Sequence, residues 1–345
     1  MKYFAIALIS ALTAAAGPIN FASAPRLQAG TLPSRLVPTV AIPDSRFLAV
    51  DRKITAAPDL GTSGDINDAA GPFRFPRGIG LDGTVALIIN RTDGSFLCSG
   101  AMIAPRVALS AAHCFANDSG ANVTVSTDVY TFPSGGGTTI IGSSLAKVHE
   151  LYDGAVINDY DIALVYLDSP IGPGVDTYDI FDGSVTNAPY TVVGFGSRGD
   201  GKSGSTLPAG SRRRGFNQFD FFSSPGVLWS DFDNGEPQND ASCVVGVCGT
   251  GLGRFEASTA PGDSGGPVFL NGKIVGITSF GATFGAPIDI DNDLNSTFGE
   301  FNGFVYTGFH SAWIERNAAA IPEPSTVALT LAGLAGLAAA ARRRA

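Results

Sequence analysis

Apolar positions through the middle of the chain fall in short runs of Val, Ile, Leu and Phe, separated by clusters of Gly, Asn, Asp and Ser. That punctuation predicts strands joined by turns, an all-β protein. Val85-Ala86-Leu87-Ile88-Ile89 reads as a buried strand, and Asp93-Gly94 as the hairpin turn after it. Phe96 to Ile103 and Val107 to Ala112 follow as a strand pair, with Cys98 near the start of the first run and Cys114 just beyond the second.

The pattern changes at both ends. Lys2, an apolar run from Phe4 to Ala16 and the small residues Ala22-Ser23-Ala24 predict a signal peptide over 1–24. Residues 25–77, rich in Pro, Ala, Ser and Asp and without a sustained period of 2 or 3.6, read as a pro-segment or loosely ordered extension. Beyond Asn317, Pro322-Glu323-Pro324 precedes an apolar run from Val327 to Ala341 and then Arg342-Arg343-Arg344. The run sits at the short limit of a membrane span, about 17 residues. Its arginines would stay on the cytoplasmic side.

Composition sharpens the picture. With 44 glycines, 21 prolines and only 15% charged residues, turns outnumber what a helical protein tolerates. A net charge of -9 and a pI near 4.8 exclude a nucleic-acid partner, which needs clustered Lys and Arg. The mean hydropathy of +0.19 overstates the apolarity of the folded part, because both termini inflate it. Four cysteines in an exported chain predict disulfides. Of the three pairings, Cys98 with Cys114 and Cys243 with Cys248 is preferred, since each closes a short local loop.

Chemistry concentrates at Gly262-Asp263-Ser264-Gly265-Gly266-Pro267. A serine hydroxyl needs a base within hydrogen-bond reach and donors aimed at the oxyanion that its attack creates. Glycines let backbone N–H groups converge there. Upstream, Ser110-Ala111-Ala112-His113-Cys114 follows the Cys98-Ser99-Gly100 run, and Asn158-Asp159-Tyr160-Asp161-Ile162-Ala163-Leu164 lies between. In this order the three motifs resemble the chymotrypsin/trypsin-like serine proteases, over about residues 85 to 317. Val192 to Gly196, Val275 to Gly281, Phe304 to Thr307 and Trp313-Ile314 are similar to later strands and the terminal helix of that family.

The resemblance implies two six-stranded antiparallel β-barrels with a short C-terminal helix, and a protease domain over 78–317. It implies His113 as general base, Asp161 rather than Asp159 as its partner, and Ser264 as nucleophile. The N–H groups of Gly262 and Ser264 would form the oxyanion hole, and Ser258, Ser279, Phe280 and Gly281 the substrate pocket. The substrate would be a protein or peptide, with no cofactor and no metal. His149 and His310 read as structural. The tail over 318–345 resembles the PEP-CTERM sorting signal, which implies exosortase processing, at least transient membrane contact through an apolar helix, and a destination outside the cytoplasm.

Departures from the family qualify these expectations. An activating N-terminus that pairs with Asp263 has its nearest counterpart at Arg77-Gly78-Ile79, which implies a zymogen cut after Arg77. Ser258, where an aspartate would select Lys or Arg, predicts an uncharged P1 side chain of small to medium size. Gly303-Phe304 leaves open which residue walls the pocket. Ala260 and Pro261 stand where a cysteine is customary. Asp289 to Asn295 with Glu300 matches the oxygen spacing of a calcium loop, but Leu294 replaces its glycine; this loop and the shorter Asp231, Asp233, Asn234 cluster read as solvated acidic surface. An α/β-hydrolase is disfavoured by the order His, Asp, Ser. A catalytically silent exported binding module on the same scaffold is the alternative.

Overall fold

A computed structural model describes residues 35–42, 47–53, 55–56 and 80–319. The expected signal peptide, the Arg77 site and the apolar tail lie outside the described residues. Two short N-terminal strands, β1 (Ala49–Arg52) and β2 (Thr55–Ala56), precede the body of the chain. The first half then supplies β3 (Thr84–Arg91), β4 (Gly94–Ala104), β5 (Val107–Ser110), β6 (Thr124–Thr131), β7 (Thr139–Ser143), β8 (Leu145–Val148) and β9 (Ala163–Tyr166). The second half supplies β10 (Tyr190–Gly194), β11 (Arg198–Asp200), β12 (Gly204–Leu207), β13 (Arg213–Asn217), β14 (Phe221–Ser224), β15 (Val227–Phe232), β16 (Pro267–Leu270), β17 (Lys273–Thr283) and β18 (Glu300–Tyr306). One helix, α1 (Ser311–Ala318), ends the described chain.

The strands form two antiparallel eight-stranded sheets and one small hairpin, β11-β12. The first runs β7-β6-β3-β4-β5-β9-β8, with β2 added on β4; the second runs β13-β10-β16-β17-β18-β15-β14, with β1 added on β17. The expected Asp-Gly turn is shifted by one residue. Arg91 pairs with Gly94 across the hairpin, so the turn is Thr92-Asp93, and Arg91 Nε donates to Asp93 Oδ1 at 2.8 Å.

Burial follows the sequence pattern. Val85, Leu87 and Ile89 of β3 pack with Leu109 of β5 and Leu164 of β9 under Trp313 and Ile314 of α1. The second sheet relies on aromatic rings, with Trp229, Phe221, Phe280 and Phe301 in one cluster and Tyr190, Phe219 and Phe304 in another. Trp229 and Phe280 meet edge to face at 4.8 Å, the arrangement that ring quadrupoles favour. Phe304 thus belongs to the core, which leaves Gly303 as the small residue beside Phe280.

Sheet register positions the candidate residues. Strands β5 and β9 pair with Ser110 opposite Ala163, so the turn after β5 and the segment before β9 emerge at one end of the first sheet. His113 lies on that turn and Asp161 on that segment. The Cys98–Cys114 disulfide, with Cα atoms 6.5 Å apart, ties the His113 turn to β4. The Cys243–Cys248 disulfide closes a loop of the second half. Ser264 arrives from the second sheet, on the loop that enters β16.

Candidate active site

The three expected residues meet between the sheets. His113 Nδ1 lies 2.7 Å from Asp161 Oδ2, and His113 Nε2 lies 2.7 Å from Ser264 Oγ. The backbone N–H of His113 donates to Asp161 Oδ1 at 2.8 Å, and Ser279 Oγ donates to Oδ2. With its proton on Nδ1 toward Asp161, the imidazole presents Nε2 as an acceptor for the serine hydroxyl. All three side chains are fully buried. Burial alone would raise the Asp161 carboxyl, but the His113 charge and these donated hydrogen bonds outweigh it and hold the group below the ordinary carboxylate range.

Asp159 lies elsewhere. Its Oδ1 accepts from Ser224 Oγ and from the N–H of Gly226 at 3.0 Å, which fastens the segment to the second half. His149 and His310 meet edge to face at 5.1 Å in an aromatic cluster with Tyr160 and Trp313.

The serine loop is braced from the first sheet. Ser99 N–H donates to the Ser264 carbonyl at 2.7 Å, Ser99 Oγ donates to the Gly262 carbonyl at 2.9 Å, and Ser110 Oγ donates to the Ser99 carbonyl at 2.9 Å. Gly265 requires its missing side chain. It has φ +80°, and a Cβ there would lie 2.0 Å from Ser110 Oγ and 2.3 Å from the Ser99 carbonyl oxygen. Asp263, expected to wait for a terminal amine, already accepts from the N–H of Gly196 at 2.8 Å and of Ala260 at 2.9 Å. Burial raises its carboxyl to about 6 against those hydrogen bonds.

The cleft holds a segment of the chain itself. Strand β1 pairs antiparallel with β17, Asp51 opposite Gly281 and Arg52 opposite Phe280. The next residue, Lys53, donates its N–H to the Ser279 carbonyl at 3.2 Å. Its own carbonyl oxygen accepts from the N–H of Gly262 at 2.6 Å and of Ser264 at 3.0 Å. Beyond it, β2 crosses to the first sheet, with Thr55 opposite Leu97 and Ala56 opposite Phe96. Arg52 reaches over the first half to Asp118 at 2.7 Å and the Gly154 carbonyl at 2.9 Å.

The Lys53 side chain is buried over Gly281, one of the expected pocket residues. It is 3% exposed, and Nζ donates to Ser296 Oγ at 3.1 Å. A Cβ on Gly281 would lie 2.4 Å from Lys53 Cε and 2.5 Å from Nζ, so that glycine is the floor on which the aliphatic stem runs. Burial lowers the ammonium's pKa, and the Glu300 carboxylate is the main charge opposing that shift. Glu300 is fully buried. Its Oε1 accepts from the N–H groups of Asn295 at 2.7 Å and Thr297 at 2.9 Å, whereas Oε2 has no hydrogen-bond partner among the described residues.

The expectation of an uncharged P1 side chain rests on the neutral Ser258; the carboxylate that acts most strongly on the Lys53 ammonium is Glu300, at the start of β18. Ser258 turns its hydroxyl to Asn302 Oδ1 and the Thr259 carbonyl. Phe280 contributes only backbone, its ring being part of the core, while Ser279 contributes a carbonyl and Gly281 space. Lys53 was missed because it lay in a segment with no periodic signal. Glu300 was seen only as the last position of a possible ion loop.

The acidic loops are solvated only in part: Asp291, Asn292 and Asp293 are exposed as expected, whereas Asp289, Asp231 and Asp233 are buried. Asp289 is 2% exposed and is engaged by Thr283 Oγ1 at 2.6 Å and the Asp291 N–H at 3.2 Å. Asp231, Asp233 and Glu256 are buried with carboxylate oxygens within 4.8 Å of one another. Burial, joined by neighbouring carboxylates, raises Asp233 to about 6 and Glu256 to about 9, with Asp220 at about 7. A carboxyl raised on folding keeps a proton that the unfolded chain has lost, so stability falls as pH rises from its unfolded value through its folded one. Asp233 Oδ1 accepts from the Gly235 N–H at 2.6 Å, and Oδ2 has no hydrogen-bond partner among the described residues. Asp233→Asn keeps the first contact and removes the charge. Thermal unfolding should show a gain of ~1–3 kcal/mol near pH 8 that vanishes near pH 4; an equal gain at both would show that charge is not its cause.

Comparison with known proteins places the chain by sequence. The family model described as Trypsin matches residues 81–293, and the PEP-CTERM protein-sorting motif matches residues 320–344. A trypsin of Saccharopolyspora erythraea is 27% identical over 205 residues, covering 57% of this chain and 80% of that protein. Brachyurin of Leptuca pugilator is 30% identical over 203 residues, 56% of this chain and 79% of its own length. Trypsin Blo t 3 of Blomia tropicalis is 29% identical over 213 residues, 58% and 73% respectively. With the match covering more than half of the chain and containing all three residues of the buried Asp161–His113–Ser264 array, the chain belongs to the trypsin family of serine proteases.

Proposed function

We propose that this chain is an exported serine endopeptidase working through an acyl-enzyme. One observation carries the reading: the peptide carbonyl of Lys53 sits between the N–H groups of Gly262 and Ser264, beside a serine already hydrogen-bonded to His113. Those two donors would stabilise the oxyanion of the tetrahedral intermediate, each worth about 3 kcal/mol. Ser264 Oγ attacks the carbonyl carbon, and His113 takes its proton and returns it to the leaving amine. Asp161 keeps the imidazole oriented and stabilises its charged form.

The sorting motif at the C-terminus supports delivery to the cell surface or its surrounding matrix, with an exosortase as processing partner. Among the described residues no helix is long and apolar enough to cross a membrane, and the apolar run lies beyond them. A serine-directed fluorophosphonate tests the reading. It should label Ser264 in the processed protein, labelling should vanish in His113→Ala, and the same protein should cleave peptides. Turnover of esters but never of peptides would rule out an endopeptidase.

A further inference from the structure

We infer that the chain is its own first substrate, cutting the peptide bond on the carbonyl side of Lys53 in an intramolecular step. The inference rests on the endopeptidase reading and adds the site, the order of reaction and the side chain recognised.

Four independent contacts place Lys53 as a residue to be cut. Upstream, Ala49 to Arg52 extend β17 as an added antiparallel strand, in register from Ala49 opposite Thr283 to Arg52 opposite Phe280. This is the main-chain pairing by which an extended peptide gains affinity without regard to sequence. At Lys53 itself the N–H is held by Ser279 and the carbonyl oxygen by Gly262 and Ser264. Its side chain occupies the pocket above Gly281, with Ser296 and Glu300 at the far end. Downstream, Thr55 and Ala56 pair with Leu97 and Phe96 of the other sheet. The segment therefore crosses the nucleophile held on both sides, whereas a plug would need only one.

Covalent continuity makes the encounter intramolecular. The bound segment belongs to the same chain as the serine, so orientation and proximity are supplied before any collision. Arg52 adds an anchor through Asp118 and the Gly154 carbonyl, on the first-sheet side of the cleft. The chemistry balances with solvent water as the only co-reactant. Ser264 Oγ bonds to the Lys53 carbonyl carbon while its proton passes to His113 Nε2. Collapse breaks the C–N bond, and that proton goes to the departing amine. Water, deprotonated by His113, then releases the Lys53 carboxylate and restores the serine hydroxyl.

The test uses the full chain, followed by mass spectrometry and N-terminal sequencing. A new N-terminus should appear at Ile54, with a rate unchanged over about a 100-fold dilution, as a first-order step requires. Ser264→Ala should stay intact, Lys53→Gln should slow the cut by ~100-fold because Glu300 then lacks its cation, and Arg77→Gln should leave it unaltered. A rate proportional to concentration, or a cut after Arg77 in place of Lys53, overturns the proposal. So does a chain that remains intact yet labels at Ser264 only after an added lysyl endopeptidase cuts it, which would make the segment an inhibitor while keeping the proposed function. A chain that neither cuts itself nor labels or cleaves peptides after that treatment removes both.

Discussion

Asp161→Asn should lower kcat/KM for peptide cleavage by ~10⁴-fold without unfolding the protein. The reason lies in which of its contacts can adjust. Asp161 Oδ1 accepts the backbone N–H of His113, a donor fixed by the 112–114 turn, while Oδ2 faces His113 Nδ1 and the rotatable Ser279 hydroxyl. An asparagine must keep its one oxygen against the fixed donor, so its NH₂ group turns toward Nδ1. The imidazole then carries its proton on Nε2 and can no longer accept from Ser264. Asp159→Asn is the matched control. Its single engaged oxygen, Oδ1, can be supplied by an amide, so activity should stay within a few-fold. Steady-state kinetics on both, with circular dichroism to verify folding, decides the matter; equal losses in the two variants would remove Asp161 from the proposed triad.

What could be read from the sequence was what is local. The strand runs, the Cys98 and Cys114 positions flanking a strand pair, and the His113 and Ser264 motifs are contiguous patterns, and the sheets place them as those patterns imply. The choice of Asp161 over Asp159 was legible by resemblance, two residues apart on one segment. What was hidden depends on partners far away in the chain. The Lys53 ammonium meets Ser296 across 243 residues, and no periodicity marks either position. The buried carboxylates near Asp231 read as surface because acidic residues usually are. Their enclosure arises only when the turn after β15 folds against the 252–256 loop, where Asp233 donates its N–H to Glu256 at 3.0 Å. The Ser99 brace was equally silent, a serine inside a strand whose hydroxyl matters because of where Gly262 returns to.

Glu300→Gln should lower kcat/KM for peptides with lysine at P1 by ~10²–10³-fold while leaving those with a neutral P1 residue nearly unchanged, since an ammonium buried without its anion costs about 3–5 kcal/mol. Oε1 is held by the N–H groups of Asn295 and Thr297, so the glutamine oxygen must take that place. Its NH₂ group then replaces Oε2 and turns donors toward the pocket, where a lysine needs an acceptor. The pH dependence separates this from a general loss of structure. Burial raises the Glu300 carboxyl above its ordinary value, more than its hydrogen bonds and Lys53 lower it. Lysine selectivity needs the ionised form, so the ratio of lysine to neutral-P1 cleavage should fall as pH drops through that raised value. Taking the ratio cancels the His113 titration common to both substrates. In Glu300→Gln the ratio should be low and flat with pH. A wild-type ratio that does not change with pH, or one that survives the substitution, would place the pocket's charge recognition elsewhere than at Glu300.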